Sequence, residues 1–199
     1  MTARRANPVP AVRQGTLFLV VGPSGAGKDS LIRAARNGLV DNPAFLFPRR
    51  VVTRPEDPAS EDFESVTPAD FERRRASGEF CLDWGAHGLF YGVPASAKAE
   101  MEAGRSVVVN VSRTVIAEAR RRFPAVRVIQ VTAPHAILEH RLAARGRASD
   151  GDIGLRLARQ IHVPDNADFD TATVVNDGSL TVAATAFLDI LLAGDRSIV

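Results

Sequence analysis

Gly22-Pro23-Ser24-Gly25-Ala26-Gly27-Lys28 surrounds a lysine with glycines at a spacing suited to holding phosphoryl groups. Glycines let the chain turn so that successive backbone N–H groups face inward and line an anion-sized hollow. The lysine reaches the outer phosphates as a point charge. The run matches the start of the pattern G-x-x-x-x-G-K-[ST], which works between a buried strand and a helix N-terminus, where the helix dipole adds positive potential. Both flanks are present. Thr16-Leu17-Phe18-Leu19-Val20-Val21 is an apolar run, and a helical period extends from Gly27 to Arg36. Residues 22–30 are therefore expected to hold the phosphates of ATP.

The pattern is broken where the metal should be bound. The residue after the lysine is ordinarily Ser or Thr, whose hydroxyl contacts Mg²⁺; here it is Asp29, followed by Ser30. Either Asp29 takes over the metal contact, or Ser30 makes it from the next position. A third role for Asp29 is simply to favour the first turn of the helix. A second break lies in Ser106-Val107-Val108-Val109-Asn110-Val111, a buried strand of the kind that often ends in a magnesium-holding aspartate. Asn110 cannot supply that charge, and Asp29 is expected to compensate for it.

Phosphoryl transfer depends mainly on positioning and on neutralising charge at the equatorial oxygens. Arg141 and Arg145 lie one turn apart and project from one helix face; Arg147 follows, and Arg156 and Arg159 share a face of the next helical stretch. With Lys28, the residues Arg141, Arg145 and Arg156 are the catalytic candidates, provided that this segment folds over the phosphate loop. Otherwise they are solvated surface charge. The consecutive Arg120, Arg121 and Arg122 must spread around a helix and read as surface.

The elements that would position these groups alternate. Further apolar runs at Val126–Val131 and Thr171–Val175, with helical periods over 113–122, 134–145 and 180–192, give a parallel α/β sheet flanked by helices. Two segments depart from the rhythm. Residues 54–94 are polar and turn-rich, with an amphipathic stretch at 68–76, and read as an insertion presenting a site. Residues 145–152 read as a flexible lid. One domain over 15–195, preceded by a disordered arm at 1–14, accommodates all of this. The arm carries arginines and prolines but no apolar core of a secretory signal.

Composition limits the remaining classes. The 199 residues are 45% apolar and 24% charged, with a formal net charge of +2. That balance points neither to nucleic acid nor to an anionic membrane. No run is long and apolar enough to span a bilayer, so a cytoplasmic protein is expected. The lone Cys81 allows no intrachain disulfide and reads as an inert, partly buried thiol. His87, His135, His140 and His162 lack metal-ligand spacing. The oligomeric state is left open, a homodimer included.

The motifs Gly22–Lys28, Thr53-Arg54-Pro55, Gly78-Glu79-Phe80, Tyr91-Gly92, Arg141-Leu142-Ala143-Ala144-Arg145-Gly146 and Val175-Asn176-Asp177 fall in the order seen in guanylate kinases. The chain resembles that family from Gly15 to about Leu192, which implies a P-loop core, a substrate-binding insertion and an arginine-bearing lid. The positions with which that family reads its nucleotide are altered. Val93 stands for a serine, Phe63 for a phosphate-contacting tyrosine and Asp57 for an arginine, and Asp83 for a displaced glutamate. Once those donors and acceptors are gone, a base is poorly discriminated.

The combination Gly27-Lys28-Asp29-Ser30, Asp83-Trp84-Gly85-Ala86-His87-Gly88-Leu89-Phe90-Tyr91-Gly92 and Asn110-Val111-Ser112-Arg113 resembles the ribose 1,5-bisphosphate phosphokinases of bacterial phosphonate breakdown. That likeness implies ATP-dependent phosphorylation of the 1-phosphate of ribose 1,5-bisphosphate to 5-phosphoribosyl 1-diphosphate. Arg54 and Arg113 then become candidate phosphate contacts, while Asp83, His87, Tyr91, Asn110 and Ser112 could reach sugar hydroxyls or phosphate oxygens. Packing or turn-capping is the plain alternative for each. Two competing readings remain, a guanylate kinase of relaxed pattern and a non-catalytic binding module of the same fold. The second has no need for the phosphate loop.

Overall fold

The structure, a computed structural model, describes residues 14–55, 62–145 and 171–196. In chain order these form β1 (Leu17–Val21), α1 (Lys28–Gly38), β2 (Phe45–Leu46), β3 (Arg50–Val52), β4 (Phe63–Ser65) and α2 (Pro68–Ala76). Then come β5 (Phe80–Ala86), β6 (Leu89–Pro94), α3 (Ser96–Glu102), β7 (Ser106–Asn110), a 3-10 turn (Arg113–Val115) and α4 (Ile116–Arg122). Last are β8 (Val126–Thr132), α5 (His135–Arg145), β9 (Thr171–Val175) and α6 (Leu180–Arg196).

A five-stranded sheet in the order β2-β7-β1-β8-β9 carries the core. All its pairings are parallel. Every residue of β1 is buried, as a strand covered on both faces requires. Strand alternation divides its side chains. Phe18 and Val20 pack with Leu31 and Ala35 of α1, Leu138 and Leu142 of α5, and Phe187 and Leu191 of α6. Leu17, Leu19 and Val21 pack on the other side with Met101 of α3 and Ala119 of α4. The C-terminal helix is pinned at its far end. Ser106 Oγ donates to Asp195 at 2.6 Å and accepts from the Thr16 N–H at 3.1 Å.

The departure at 54–94 is a second sheet, in the order β4-β3-β6-β5, and it begins earlier than the sequence pattern indicates, at Arg50. β3 runs parallel to β4 and antiparallel to β6, and β5 and β6 form a hairpin. Its turn is His87-Gly88, with φ of 54° and 73°, the double left-handed geometry that a two-residue hairpin favours. α2 covers one face. It starts at Thr67, whose hydroxyl accepts from Asp70 N–H at 3.1 Å with Pro68 following. Phe71 of α2 stacks on Phe80 and Phe90 above Val51. The opposite face is left to line a cleft. Residues 1–13, most of the proposed arm, lie outside the described residues, as do 146–152 of the proposed lid.

Candidate active site

The phosphate loop sits between the carboxyl end of β1 and the first turn of α1, as the motif requires. Two of its glycines are dictated by geometry. Gly22 has φ of 146°, and a Cβ there would strike the Val131 carbonyl. Gly27 has φ of 90°, and a Cβ would collide with the Asn176 carboxamide. Lys28 Nζ donates to the Gly22 and Pro23 carbonyls at 2.8 and 2.9 Å, so the ammonium is folded back over the loop that it serves.

Asn176 braces the loop from behind. It is 3% exposed, and its Nδ2 donates to the Ala26 carbonyl at 2.8 Å. Arg141 Nη1 donates to the Asn176 and Gly25 carbonyls at 3.2 and 3.4 Å, which brings the α5 arginine to the loop. Arg145 ends α5, but its side chain lies outside the described residues, as do Arg147, Arg156 and Arg159. The sequence contains the Val175-Asn176-Asp177 motif, yet nothing in its spacing places Asn176 against a loop so distant in the chain.

Asp29 and Asn110, the two breaks in the metal pattern, touch each other. Asn110 Nδ2 donates to Asp29 Oδ1 at 2.6 Å from the end of β7, the strand paired with β1. A carboxylate and a carboxamide oxygen are hard donors of the type Mg²⁺ takes. No cluster of three or more His, Cys, Asp or Glu side chains that could hold a metal occurs among the described residues. Two such donors suit an ion that keeps waters and substrate phosphates as its other ligands, which is the habit of magnesium.

Beyond the loop opens a cleft of about 830 Å³, lined on one side by residues 22–25 and 27–30 and on the other by the exposed face of the second sheet. That volume lies within the range of ligand pockets. Arg54, His87, Tyr91, Asn110, Ser112 and Arg113 all line it. Arg54 lays its guanidinium over the buried Phe63 ring at 4.6 Å, so the residue without a hydroxyl serves as a platform. Ser112 accepts from Thr114 N–H at 3.3 Å and thereby caps the 3-10 turn. Half-burial in the cleft wall pushes the Arg113 guanidinium below its ordinary range.

Asp83 must be corrected. It is absent from the cleft lining and lies on the α2 side of β5, where Arg75 Nη2 binds its carboxylate at 2.8 Å. Alternation explains this: in β5 the cleft side belongs to Trp84 and Ala86. By the same parity Arg50 of β3 joins Arg54, two residues beyond the strand's end, in lining the cleft. The sequence reading passes over both Arg50 and Trp84, and the signal that finds them is strand parity.

Asp62 closes the cleft rim. Burial pushes its carboxyl up, but the Arg36 hydrogen bond at 2.9 Å and the neighbouring Arg49 and Arg36 charges outweigh it and hold the carboxyl below its ordinary value. Cys81 is buried, and desolvation pushes its thiol up to about 11. Among the described residues no helix is long and apolar enough to cross a membrane.

No protein-family model matches the chain. Among curated proteins it is 54% identical over 180 residues to ribose 1,5-bisphosphate phosphokinase PhnN of Acidiphilium cryptum, covering 90% of this chain and 94% of that protein. It is 49% identical over 180 residues to the protein of the same name from Rhodopseudomonas palustris, covering 90% of each. It is also 48% identical over 188 residues to the bifunctional ribose 1,5-bisphosphokinase-thymidine phosphorylase of Cupriavidus necator, of whose length it spans 30%. Among solved structures, the guanylate kinase from Anaplasma phagocytophilum matches with a TM-score of 0.66 at 18% identity, covering 93% of this chain and 88% of that one. At that identity the likeness is one of fold, an α/β core with a parallel sheet flanked by helices.

Proposed function

The chain belongs to the ribose 1,5-bisphosphate phosphokinase family, and on that premise we propose that it moves the γ-phosphoryl group of ATP onto the 1-phosphate of ribose 1,5-bisphosphate. The products are 5-phosphoribosyl 1-diphosphate and ADP, the step assigned above to phosphonate breakdown. The observation that carries this reading is a single cleft in which the phosphate loop faces Arg54 and Arg113, with the Asp29–Asn110 pair beside the loop.

The residues divide the work. Backbone N–H groups within residues 22–30, Pro23 excepted, cradle the ATP phosphates at the N-terminus of α1. Lys28 exchanges its carbonyl contacts for phosphate oxygens and neutralises charge as the P–O bond to ADP lengthens. Arg141 attends the same charge; Arg145 and Arg156, the other catalytic candidates, lie outside the described side chains. Arg54 and Arg113 bind the acceptor's phosphate oxygens, bidentately where the guanidinium plane allows. His87, Tyr91 and Ser112 face the sugar. An oxygen of the 1-phosphate, already anionic near neutral pH, attacks the γ-phosphorus in line, so no general base is needed.

Asp29 and Asn110 would hold Mg²⁺ through one or two oxygens, with Ser30 adjacent, and the ion would withdraw charge from the bridging phosphate oxygens. Asn110 keeps the Asp29 carboxylate aimed. A cytoplasmic location accords with the dependence on ATP. The test is ³¹P NMR of the products formed from ATP, Mg²⁺ and ribose 1,5-bisphosphate, run beside GMP. A diphosphate appearing on ribose C1 is expected. Preferential conversion of GMP to GDP would overturn the assignment in favour of a guanylate kinase. Failure of the folded protein to bind ATP would point to a binding module.

A further inference from the structure

We propose that Trp84 sets the acceptor class by occupation: its indole fills the recess against Tyr91 in which the base of a nucleoside monophosphate would otherwise lie. The inference rests on the ribose 1,5-bisphosphate reading and names the side chain that keeps nucleotides out of the acceptor half of the cleft.

An acceptor that turns its reacting phosphate toward the phosphate loop must lay the rest of itself along the second sheet, the far wall of the cleft. A sugar is short. A nucleoside 5′-monophosphate adds a flat ring system beyond the sugar and needs a recess to receive it.

The wall offers none. Trp84 lines the cleft but is only 7% exposed, as is Arg50 beside it. Trp84 pairs directly with Tyr91 across β5 and β6, and the rings stack at 5.3 Å with their planes 6° apart. The Arg50 guanidinium lies 5.9 Å from the Trp84 centroid and 5.5 Å from that of Tyr91, closing the layer from β3. Trp84 also belongs to the apolar cluster that holds Val109, Val111 and Val115. Asp83, the acid of β5, is turned to the α2 side by Arg75 and reads no base edge.

Shape makes the indole an apt occupant. It is a fused five- and six-membered ring system, as a purine is, and it lies flat on Tyr91 as a stacked base would. Deleting it leaves an apolar recess that opens on the cleft, with the Tyr91 ring as one face. Apolar cavities of that kind take up flat ligands. Selectivity then comes from obstructing the wrong acceptor rather than from added contacts to the right one.

The test compares wild type, Trp84→Ala and Trp84→Phe with the phosphate loop filled by a non-hydrolysable ATP analogue, so that added nucleotides report on the acceptor side alone. Calorimetry measures affinity for GMP, AMP and ribose 5-phosphate, the last carrying the sugar and phosphate without a base. Thermal melts report folding, since removing a buried indole is destabilising. If the alanine variant does not fold, Trp84→Val, with a better strand former, takes its place.

Affinity for GMP relative to ribose 5-phosphate should rise about 5- to 150-fold in Trp84→Ala, the value of stacking one base on an aromatic ring. AMP should gain similarly, because a ring face reads no base edge. Trp84→Phe refills most of the recess and should gain little. A ratio unchanged in the folded small-residue variant, whether or not the separate affinities fall, would overturn the role and leave Trp84 as packing. If wild type converts GMP in preference to ribose 1,5-bisphosphate, the proposed function fails first and the inference falls with it. A wild type specific for the bisphosphate, with no gain for nucleotides in the variant, removes the inference alone.

Discussion

Asn110→Ala isolates the contact on which the metal site is argued to depend. The Asn110 carboxamide donates to Asp29 Oδ1 at 2.6 Å, a short hydrogen bond to an ionised acceptor. Such bonds contribute about 1.5–3 kcal/mol, so a loss of about 10- to 100-fold in turnover is expected at limiting Mg²⁺. Part of that loss should return as Mg²⁺ is raised, because the Asp29 carboxylate remains a ligand after losing its aim and the Asn110 oxygen. Calorimetric titration of ATP with and without Mg²⁺ separates the two effects: nucleotide affinity without metal should hold, and the gain from adding metal should shrink.

Asn110→Asp turns the same contact round. Two carboxylates this close repel by roughly 6 kcal/mol at an effective dielectric of ~20, before relaxation. They cannot both ionise unless a cation lies between them, so one proton of the pair is held to higher pH. The active form needs both deprotonated, and activity should fall as pH drops through that raised value. Mg²⁺ should push the fall to lower pH. An Asn110→Ala enzyme with wild-type Mg²⁺ dependence would refute the reasoning and return Asp29 to the bland role of a first-turn acid on α1.

Lys28→Ala should lower kcat by about 10²–10³-fold, the usual cost of one preorganised group at developing charge, with an unchanged melt; near-wild-type turnover would contradict its role. Asp83→Asn breaks the Arg75 pair, whose side chains are 30% and 35% exposed. It should cost no more than about 1 kcal/mol of stability and leave the acceptor KM alone. For Cys81, pushed up to about 11, thiol reagents near neutral pH should react slowly until urea unfolds the chain, because the thiolate is the nucleophile.

Asp62 makes a pH prediction whose sign is fixed by its lowered carboxyl. Its stabilisation is present above the ordinary value of 3.8 and is lost as pH falls through the lower folded value. Thermal melts of wild type and Asp62→Asn should therefore differ slightly at neutral pH and converge in acid. The difference should stay small because the side chain is 49% exposed.

Four strands of the parallel core were legible because they are mostly apolar, whereas β2, only two residues long, was not. Thr16–Val21 and Ser106–Val111, read from composition, differ from β1 and β7 by a residue at one end. The second sheet was not legible, for reasons of length and register. β3 and β4 have three residues each, and the pairing of β5 with β6 shifts between Phe80 and Leu82. Strands that short carry too little alternation to declare a face, and a one-residue slip moves every side chain to the opposite side. Asp83 was misplaced in that way: carried from a resembling motif across a length difference, it landed on the parity of α2 rather than of the cleft. Arg50 was overlooked because an arginine at a strand edge reads as surface until two rings are found beside it.

Asp29 and Asn110 illustrate the opposite case, in which each residue was visible and their relation was not. Read singly, each weakens the case for an ordinary magnesium site: one puts a charge where a hydroxyl is usual, the other removes a charge where an acid is usual. The pairing of β1 with β7 sets Val20 opposite Asn110, and α1 begins just beyond the phosphate loop, so the two substitutions meet. Together they keep one carboxylate at the junction and move it from strand to helix, with the amide left behind to orient it. On the proposed metal role, that exchange would conserve the local charge and let the phosphate loop work with an altered motif. It also predicts that swapping the two residues, Asp29→Asn with Asn110→Asp, should restore more turnover than either change alone. Independent effects would make the double variant worse than both.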